Sequence, residues 1–431
     1  MIKTKTLPNG LRVMLKEMHT APLASIAIYY KVGSRNEHVG ITGISHWVEH
    51  MMFKGTPAFS EDEQDRLISR EGGSRNAFTW IDFTTYYATV PSSQIDLVLK
   101  MEADRMANSK FDPKEVKSER TVIINERQGG ENSPTFRLAE EVAAAAFRVH
   151  PYGHMVIGHQ ADLERITRDD LYAHYRHFYT PDNAILCAAG DFDTREMLAK
   201  IEKEFGGIKP SARKKPLPAS APSTPPEPPQ KGERRITVRG EGLTDYLLMA
   251  FHAPATTHPD YFALVALDSV LCGASGLAFF GGGTSNRSSR LSRALVDTGL
   301  ASDIGGGVTP TIDPYLYELF ASAQSGKKIE DAERVLWREI ERVQKEGLSQ
   351  GELDKAIKQT RAQFAFATEG VTPHAFWMGF AEMFADYDWF LQYVDNLSRV
   401  TPDEVRRVAN LYLTRDNATV GVYRANKNSQ S

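Results

Sequence analysis

The chain has 431 residues, of which 41% are hydrophobic and 25% charged, with a net charge of −4 and an isoelectric point near 6.3. This charge balance excludes the basic surface that nucleic acids and anionic lipids require. No apolar run approaches the roughly 20 residues needed to cross a bilayer, and the amino terminus lacks the apolar core of a signal peptide. We therefore expect a cytoplasmic protein, or an exported one whose leader is absent from this numbering. The length predicts two or more domains.

Runs with the composition of β-strands open both halves of the chain and recur further along each half. They are residues 10–17, 23–33 and 84–91 in the first half, and 234–240, 245–254 and 314–324 in the second. Helical patterns lie between them. The predicted fold is therefore α+β, with two domains that each form an antiparallel-rich sheet with helices packed on one face.

Residues 44–56, ISHWVEHMMFKGT, predict an amphipathic helix with two histidines on one face. His46 and His50 are four residues apart, so they lie one turn apart on the same side, with Glu49 beside them. Neutral imidazoles at this spacing can converge on tetrahedral Zn²⁺, and the glutamate could take a proton from water. From this segment alone, a helix with two hydrogen-bonded histidines and a structural zinc site stay open as alternatives.

A second helix is predicted to begin after Asp112, its N-cap, with Pro113 at the first helical position. Glu119, Ile123 and Glu126 then fall on one face, because they follow i, i+4, i+7 spacing. Burying a carboxylate among apolar neighbours costs free energy of folding unless its negative charge is compensated, and a bound metal ion would compensate that charge. This helix is therefore a candidate source of the third ligand. The alternative is an ordinary surface helix with both glutamates solvated.

Three further histidines, His150, His154 and His159, have a spacing close to that of metal ligands. Pro151 and Gly153 break any helix that would align them. We therefore interpret this segment as a turn rather than as a second metal site.

The strongest change in composition lies at residues 209–235, where eight of the protein's 22 prolines occur between Pro210 and Pro229. Such a segment favours extended conformations and lacks backbone donors. It predicts a semi-rigid linker between a domain at 1–208 and a second at 236–431.

The two halves resemble each other. Residues 165–190 align without gaps to residues 399–424 at a constant offset of 234. Each copy has a threonine N-cap (Thr167, Thr401), a helix, an Asp-Asn turn and a buried strand. A duplicated domain explains this pattern. The second copy lacks histidines at the equivalent helix, so we predict one zinc-binding domain and one homologous domain without the metal motif.

The pattern His46-x-x-Glu49-His50, followed by Glu119 and Glu126, resembles the pitrilysin/insulinase family of inverzincin metallopeptidases. The similarity is greatest to the short two-domain branch that includes mitochondrial processing peptidase and bacterial relatives. Further matches extend the resemblance over nearly the whole chain: GGSRNAFTWIDFTTYY (72–87), HPYGHMVIG (150–158), TPDNAILCAAGDF (180–192) and the duplication itself.

This resemblance implies one Zn²⁺ per chain, held by His46, His50 and Glu126. It implies that Glu49 is the general base of catalysis. Glu119 would support catalysis as a carboxylate that orients a ligand histidine.

The resemblance also implies a substrate-binding strand formed by Asn76, Ala77, Phe78 and Thr79. In the family this edge strand pairs with extended substrate backbone. Asn76 would hydrogen-bond substrate near the scissile peptide, and Phe78 would line the adjoining pocket. Without the resemblance, the same residues are typical of an ordinary strand.

The sequence departs from the family in the second half. Active relatives carry an arginine and a tyrosine that bind substrate and stabilise the oxyanion, and this chain has Val296 and Ser302 there. Nearby Arg290 and Arg293 could substitute, although exposed helix charges are the simpler interpretation. The family includes heterodimers in which one subunit holds zinc and the other holds the arginine–tyrosine pair.

The sequence therefore predicts a zinc-dependent metalloendopeptidase subunit that acts on peptides or unfolded polypeptides. A homologous partner subunit would complete it, in a hetero-oligomer whose two halves close around the substrate. The alternatives are a self-sufficient homodimeric peptidase and a non-catalytic peptide-binding or assembly subunit.

Overall fold

The computed structural model describes residues 2–211, 226–274 and 287–426. Its strands are β1 (Ile2–Thr6), β2 (Arg12–Glu17), β3 (Leu23–Tyr30), β4 (Ser74–Thr79), β5 (Thr84–Pro91), β6 (Ala184–Gly190), β7 (Arg234–Glu241), β8 (Tyr246–Ala253), β9 (Ala301–Val308), β10 (Tyr315–Ala323) and β11 (Ala418–Asn426). Residues 212–225 of the predicted linker lie outside the described residues.

The α-helices of the first half are α1 (Ile44–Met51), α2 (Glu61–Arg70), α3 (Ile95–Asn108), α4 (Pro113–Glu131), α5 (Pro134–Ala146), α6 (Gln160–Leu163), α7 (Arg168–Phe178) and α8 (Thr194–Phe205). Those of the second half are α9 (Tyr261–Leu271), α10 (Ile329–Glu346), α11 (Gln350–Ala367), α12 (Val371–Phe384), α13 (Tyr387–Leu391), α14 (Tyr393–Ser398) and α15 (Pro402–Tyr412). A π-helical turn spans Ser292–Val296.

The described residues form two compact units, and each unit takes segments from both halves of the chain. The first unit falls within Met1–Arg127, His154–Thr224 and Thr368–Tyr387. The second falls within Gln128–Gly153, Pro225–Ala367 and Asp388–Ser431. The predicted division into 1–208, 209–235 and 236–431 did not anticipate that Gln128–Gly153 belongs to the second unit and Thr368–Tyr387 to the first. These two stretches are the exchanged segments.

The first unit is built on a six-stranded sheet in the order β1-β2-β6-β3-β5-β4. Strands β2 and β6 are parallel, and the other pairs are antiparallel. One face of the sheet contributes Ile26, Ile28 and Tyr30 to a buried core that also contains Trp47 and Val48 of α1. The helix that carries the histidine motif is therefore fixed to the sheet by its apolar side, while β4 is an edge strand.

The opposite face of this sheet is covered by α12, which comes from the second half of the chain. Tyr29 points to this face because side chains alternate along a strand. Its hydroxyl donates a hydrogen bond to the carbonyl of Phe376, at 2.9 Å. Gly379 allows the contact, since a Cβ there would lie 2.2 Å from the Tyr29 ring.

The second unit repeats this arrangement around a five-stranded sheet in the order β7-β11-β8-β10-β9. Helices α9 and α10 lie against one face, and α5, from the first half of the chain, lies against β7, β8 and β11. Gly421 of β11 is the close-contact position here, because a Cβ would lie 2.3 Å from Val142 of α5. Each sheet is thus completed by one helix from the other half.

The predicted repeat is confirmed in its local details. Thr167 and Thr401 both cap the following helix in capping boxes. In the following turns, the Asn183 amide donates to the carbonyls of Lys31 and Phe178. The Asn417 amide donates to carbonyls in the equivalent way.

The predicted α+β class with two antiparallel-rich sheets is confirmed, with the exchanged helices α5 and α12 as an addition that the sequence did not reveal. Cys187 and Cys272 are buried free thiols. Among the described residues, none of the helices combines the length and the apolar character needed to span a membrane. The cytoplasmic location stays a prediction.

We expect Gly379→Ala to destabilise the first unit. Alanine favours a helix over glycine by about 1 kcal/mol, but overpacking against the buried Tyr29 ring costs about 1–3 kcal/mol. The midpoint of urea unfolding should therefore fall. Gly129→Ala in α4 is the matched control, because no atom lies within 4 Å of its Cβ position. Equal stabilisation by both substitutions would contradict the proposed close packing of α12.

Candidate metal centre

Helix α1 brings the two histidines and Glu49 to the side away from its buried apolar residues. Gly43 precedes the helix with φ of 87°, a left-handed conformation that favours glycine. The buried apolar residues are Ile44, Trp47, Val48 and Met51. The predicted helix is confirmed, and so is the start of α4, where Asp112 accepts a hydrogen bond from the backbone N–H of Lys114.

His46, His50 and Glu126 converge on one point. The Nε2 atoms of His46 and His50 are 3.2 Å apart, and Oε2 of Glu126 lies 3.9 Å and 3.7 Å from them. Ligand atoms on a tetrahedral zinc with bonds of about 2.0–2.1 Å are separated by about 3.3 Å. The donor set, with one ligand atom from each residue within 4.8 Å of the others, therefore fits a small divalent metal.

Glu119 holds His50 in the orientation that a metal requires. The Nδ1–H of His50 donates to Oε1 of Glu119 at 2.8 Å, which leaves Nε2 free to bind. The Lys54 ammonium lies 2.9 Å from the other oxygen of Glu119 and also bonds Glu61. Burial acts to raise the pKa of Glu119, but the bonds from His50 and Lys54 outweigh it and lower the pKa. The carboxylate thus stays ionised although it is buried.

His46 is held in the neutral form that can bind a metal. Burial, with a smaller contribution from His50, lowers the pKa of His46 to about 3. Its Nδ1 atom is buried and has no hydrogen-bond partner within the described residues. For His50, burial acts to lower the pKa, but Glu119 and the neighbouring carboxylates outweigh it and raise the pKa.

Glu49 is buried beside the two histidines and is hydrogen-bonded by Thr79. The hydroxyl of Thr79 donates to Oε2 of Glu49 at 2.9 Å, and the hydroxyl of Thr84 donates to Thr79 at 3.3 Å. Burial raises the pKa of Glu49 above its ordinary value. A carboxylate in such an environment takes up a proton more readily, which suits a general base.

The four residues predicted to bind substrate lie on β4, at the edge of the sheet. Asn76 is exposed, and its side-chain oxygen accepts a bond from the N–H of Ala77. The Phe78 ring contacts Phe83. Thr79 is buried and bonded to Glu49, so it positions a site residue. Strand β4 pairs with β5 on one side only, which leaves its other edge for an added strand.

Sequence reasoning missed a carboxylate that supports the start of α1. Glu37 has a fully buried side chain and accepts hydrogen bonds from the N–H groups of Gly43 and Ser45, at 2.7 and 2.8 Å. Nε2 of His154 lies 3.0 Å from the same carboxylate. Glu37 therefore satisfies helix N–H groups that would otherwise lack partners.

A second buried carboxylate fixes the loop before α1. Asp162 accepts hydrogen bonds from the N–H groups of Gly40 and Thr42 and from the Thr42 hydroxyl.

Glu37 lies too far before the helix for a local capping pattern to identify it. The sequence segment containing His154 was correctly interpreted as a turn, but its contact with Glu37 is long-range and leaves no local signal.

Two family models together match most of the chain. A family model described as Insulinase (Peptidase family M16) matches residues 12–160, and one described as Peptidase M16 inactive domain matches residues 165–360. The zinc protease PqqE of Helicobacter pylori is 29% identical over 96% of this chain and 90% of its own length. The mitochondrial-processing peptidase subunit beta of Lentinula edodes is 26% identical over 95% of this chain and 86% of its own.

The fold is shared with solved structures over almost its full length. A protease from Helicobacter pylori has a TM-score of 0.91 at 28% identity, covering 98% of this chain and 99% of that one. An M16-like peptidase from Alicyclobacillus acidocaldarius, at 20% identity, has a TM-score of 0.81 over 99% and 98% of the two chains and supports the fold alone.

We expect Glu37→Gln to weaken metal binding without unfolding the protein. The amide has one acceptor oxygen instead of two, so one N–H at the start of α1 loses its partner and the histidines are held less firmly. A carboxylate bonded directly to a ligand histidine is worth about 10–100-fold in metal affinity, and Glu37 acts one step further away, through the backbone at the start of α1. Zn²⁺ affinity, measured by competition with a chromophoric chelator, should fall about tenfold. Glu164→Gln, at an exposed position of the same unit, is the control. Unchanged affinity in Glu37→Gln would rule out the positioning role.

Proposed function

Because the chain belongs to the insulinase-type M16 peptidase family, we propose that it is the zinc-bearing subunit of a metalloendopeptidase. The observation that carries the proposal is the convergence of His46, His50 and Glu126, with ligand atoms within 4.8 Å, next to buried Glu49. The substrate would be a peptide or an unfolded segment of polypeptide.

His46, His50 and Glu126 would hold one zinc ion, and Glu119 would keep His50 in the binding tautomer. When bound, zinc would polarise the scissile carbonyl and make a water molecule more acidic. Glu126 is about half exposed, with a side-chain exposure of 52%, so its carboxylate has room to adjust to the ion. This donor set contributes three protein ligands, which is typical of a catalytic rather than a structural zinc site.

Glu49 would move the proton. It would take a proton from the attacking water and deliver it to the nitrogen of the departing amine. Its hydrogen bond from Thr79 would orient the carboxylate. Because burial raises the pKa of Glu49, the carboxylate would take up the proton of water in the first transfer and hold it until the amine nitrogen accepts it in the second. Thr84 supports Thr79 in turn.

The edge strand β4 would bind the substrate backbone. An extended peptide could add to its unpaired edge as a further strand, with affinity from main-chain hydrogen bonds and specificity from alternate side chains. Asn76 is exposed on this strand, and Phe78 contributes an aromatic surface beside it.

The second half of the catalytic machinery would come from another chain. Val296 ends a π-helical turn and Ser302 lies at the start of β9, where family members with full activity carry arginine and tyrosine. Valine has no polar group to donate to a developing oxyanion, and the hydroxyl of Ser302 has a shorter reach than a phenol and is directed to the carbonyl of Ser322. One such donor is worth about 2.7–4 kcal/mol of barrier, so a homologous partner with the pair would be needed for efficient turnover.

We expect Glu49→Gln to abolish peptide hydrolysis while zinc stays bound. The amide keeps the size of the side chain but cannot accept the proton of water, which should reduce kcat by about 10²–10⁴-fold or more. Metal content of the purified variant and cleavage of a quenched fluorescent peptide test this together. Glu126→Gln is the companion variant and should lose zinc as well as activity. Substantial turnover by Glu49→Gln would rule out this base.

We expect the chain alone to cleave a quenched peptide weakly, because the arginine and tyrosine are absent. Mixing it with a homologous chain that carries the pair should raise kcat/KM at least about tenfold. The double substitution Val296→Arg with Ser302→Tyr should raise the activity of the single chain for the same reason. The same double substitution in the Glu49→Gln background is the control and should stay inactive. Full activity of the wild-type chain alone would reject the two-subunit proposal.

A further inference from the structure

A polar cavity lies in the second compact unit, apart from the residues of the metal centre. Its volume is about 300 Å³, and it lies between the end of α9, the turn that precedes the π-helical segment, and the first turns of α11. Polar residues that line it include Ser269, Ser288, Arg290, Arg293, Ser349 and Lys355. None of these residues has a part in the proposed hydrolysis.

The cavity has an excess of positive charge. Arg290, Arg293 and Lys355 line it, and Glu352 is the one acidic residue among the described lining residues. Arg290 is paired with Glu352, through Nε at 2.9 Å and Nη2 at 3.1 Å. Arg293 and Lys355 have no ion pair with any of the described residues, so about two positive charges are left uncompensated.

The Arg290–Glu352 pair is a fixed part of the cavity wall. Glu352 also accepts hydrogen bonds from the N–H and hydroxyl of Ser349, which closes a capping box at the start of α11. Principally through Arg290, the pKa of Glu352 is lowered to about 2, so this carboxylate remains ionised at neutral pH. Arg290 is therefore held in place and is not free to replace the arginine missing at Val296.

One donor of the cavity wall has no hydrogen-bond partner within the described part of the chain. Nη1 of Arg290 is buried and has no hydrogen-bond partner among the described residues. Leaving a buried N–H without an acceptor is costly, and an acceptor in the cavity would remove that cost. Gly351, in the first turn of the 18-residue helix α11, has nothing within 4 Å of its Cβ position, so the helix start is accessible there.

We propose that this cavity binds a phosphate group, as inorganic phosphate or as the phosphate of a small monoester. Two uncompensated positive charges match a dianion, and charge-assisted bonds from guanidinium and ammonium groups suit phosphate oxygens. The guanidinium of Arg290 adds a further donor in the cavity wall, since its Nη1 has no partner among the described residues. A singly charged planar carboxylate would leave one of the two positive charges unmatched.

Isothermal titration calorimetry of the full chain with inorganic phosphate at constant ionic strength tests the proposal. We expect saturable binding at one site per chain, with acetate at least about tenfold weaker. Titration with glycerol phosphate distinguishes the two proposed ligands. Tighter binding of glycerol phosphate than of inorganic phosphate would indicate a monoester as the ligand, and weaker binding would indicate inorganic phosphate. An absence of saturable heat with both would overturn the proposal.

Lys355→Ala and Arg293→Gln locate the site. Both side chains are exposed and have no ion pair within the described part of the chain, so neither substitution should unfold the protein. Each should weaken phosphate binding about tenfold, by loss of one charge-assisted bond. Lys358→Ala is the matched control, because it removes an exposed lysine of α11 that does not line the cavity. Equal weakening by Lys355→Ala and Lys358→Ala would mean general surface attraction and would reject the site. The unfolding temperature without phosphate verifies that each variant is folded.

Discussion

The hydrogen bond between Nδ1 of His50 and Glu119 is the interaction on which the metal centre depends. It connects α1, whose apolar side is fixed in the core, to α4, which carries Glu126. A buried carboxylate is tolerated there because His50 and Lys54 both donate to it. The same bond keeps Nε2 of His50 available for a metal. This buried contact between two helices therefore helps to bring the three proposed ligands together.

The two sheets repeat one arrangement, and the candidate metal ligands lie in the first of them among the described residues. Strands β4 and β9 are both outer edges of their sheets, and β6 and β11 both follow a capped helix and an asparagine turn. One face of each sheet is covered by a helix from the other half of the chain: α12 covers the first sheet and α5 covers the second. Each compact unit therefore needs residues from both halves of the chain. Gly379 and Gly421 show how closely those helices approach.

Local signals in the sequence predicted the elements but not the contacts between distant segments. Short-range periodicity predicted the helix that carries His46 and His50, and a capping pattern predicted the N-cap at Asp112. Periodicity also placed Glu119 and Glu126 on one face of the second helix. Contacts such as those from Thr79 to Glu49 and from Glu37 to His154 join residues 30 or more positions apart. The membership of α5 and α12 in the opposite units is equally long-range. Such contacts are set by tertiary packing, which no periodicity records.

The candidate site holds Glu49 as its proposed base beside the residues that would bind a metal, and in the proposed mechanism a partner supplies the charged donors for the oxyanion. Water activation and oxyanion stabilisation are separate contributions to the barrier, so a chain can keep the first and lose most of its rate without the second. Burial of Glu49 raises its pKa and keeps it suited to proton transfer whether or not a partner is present. A partner that contributes donors would then change kcat without rebuilding the metal centre. Under the proposed two-subunit mechanism, hydrolysis would depend on assembly, because Val296 and Ser302 leave the single chain without the arginine–tyrosine pair.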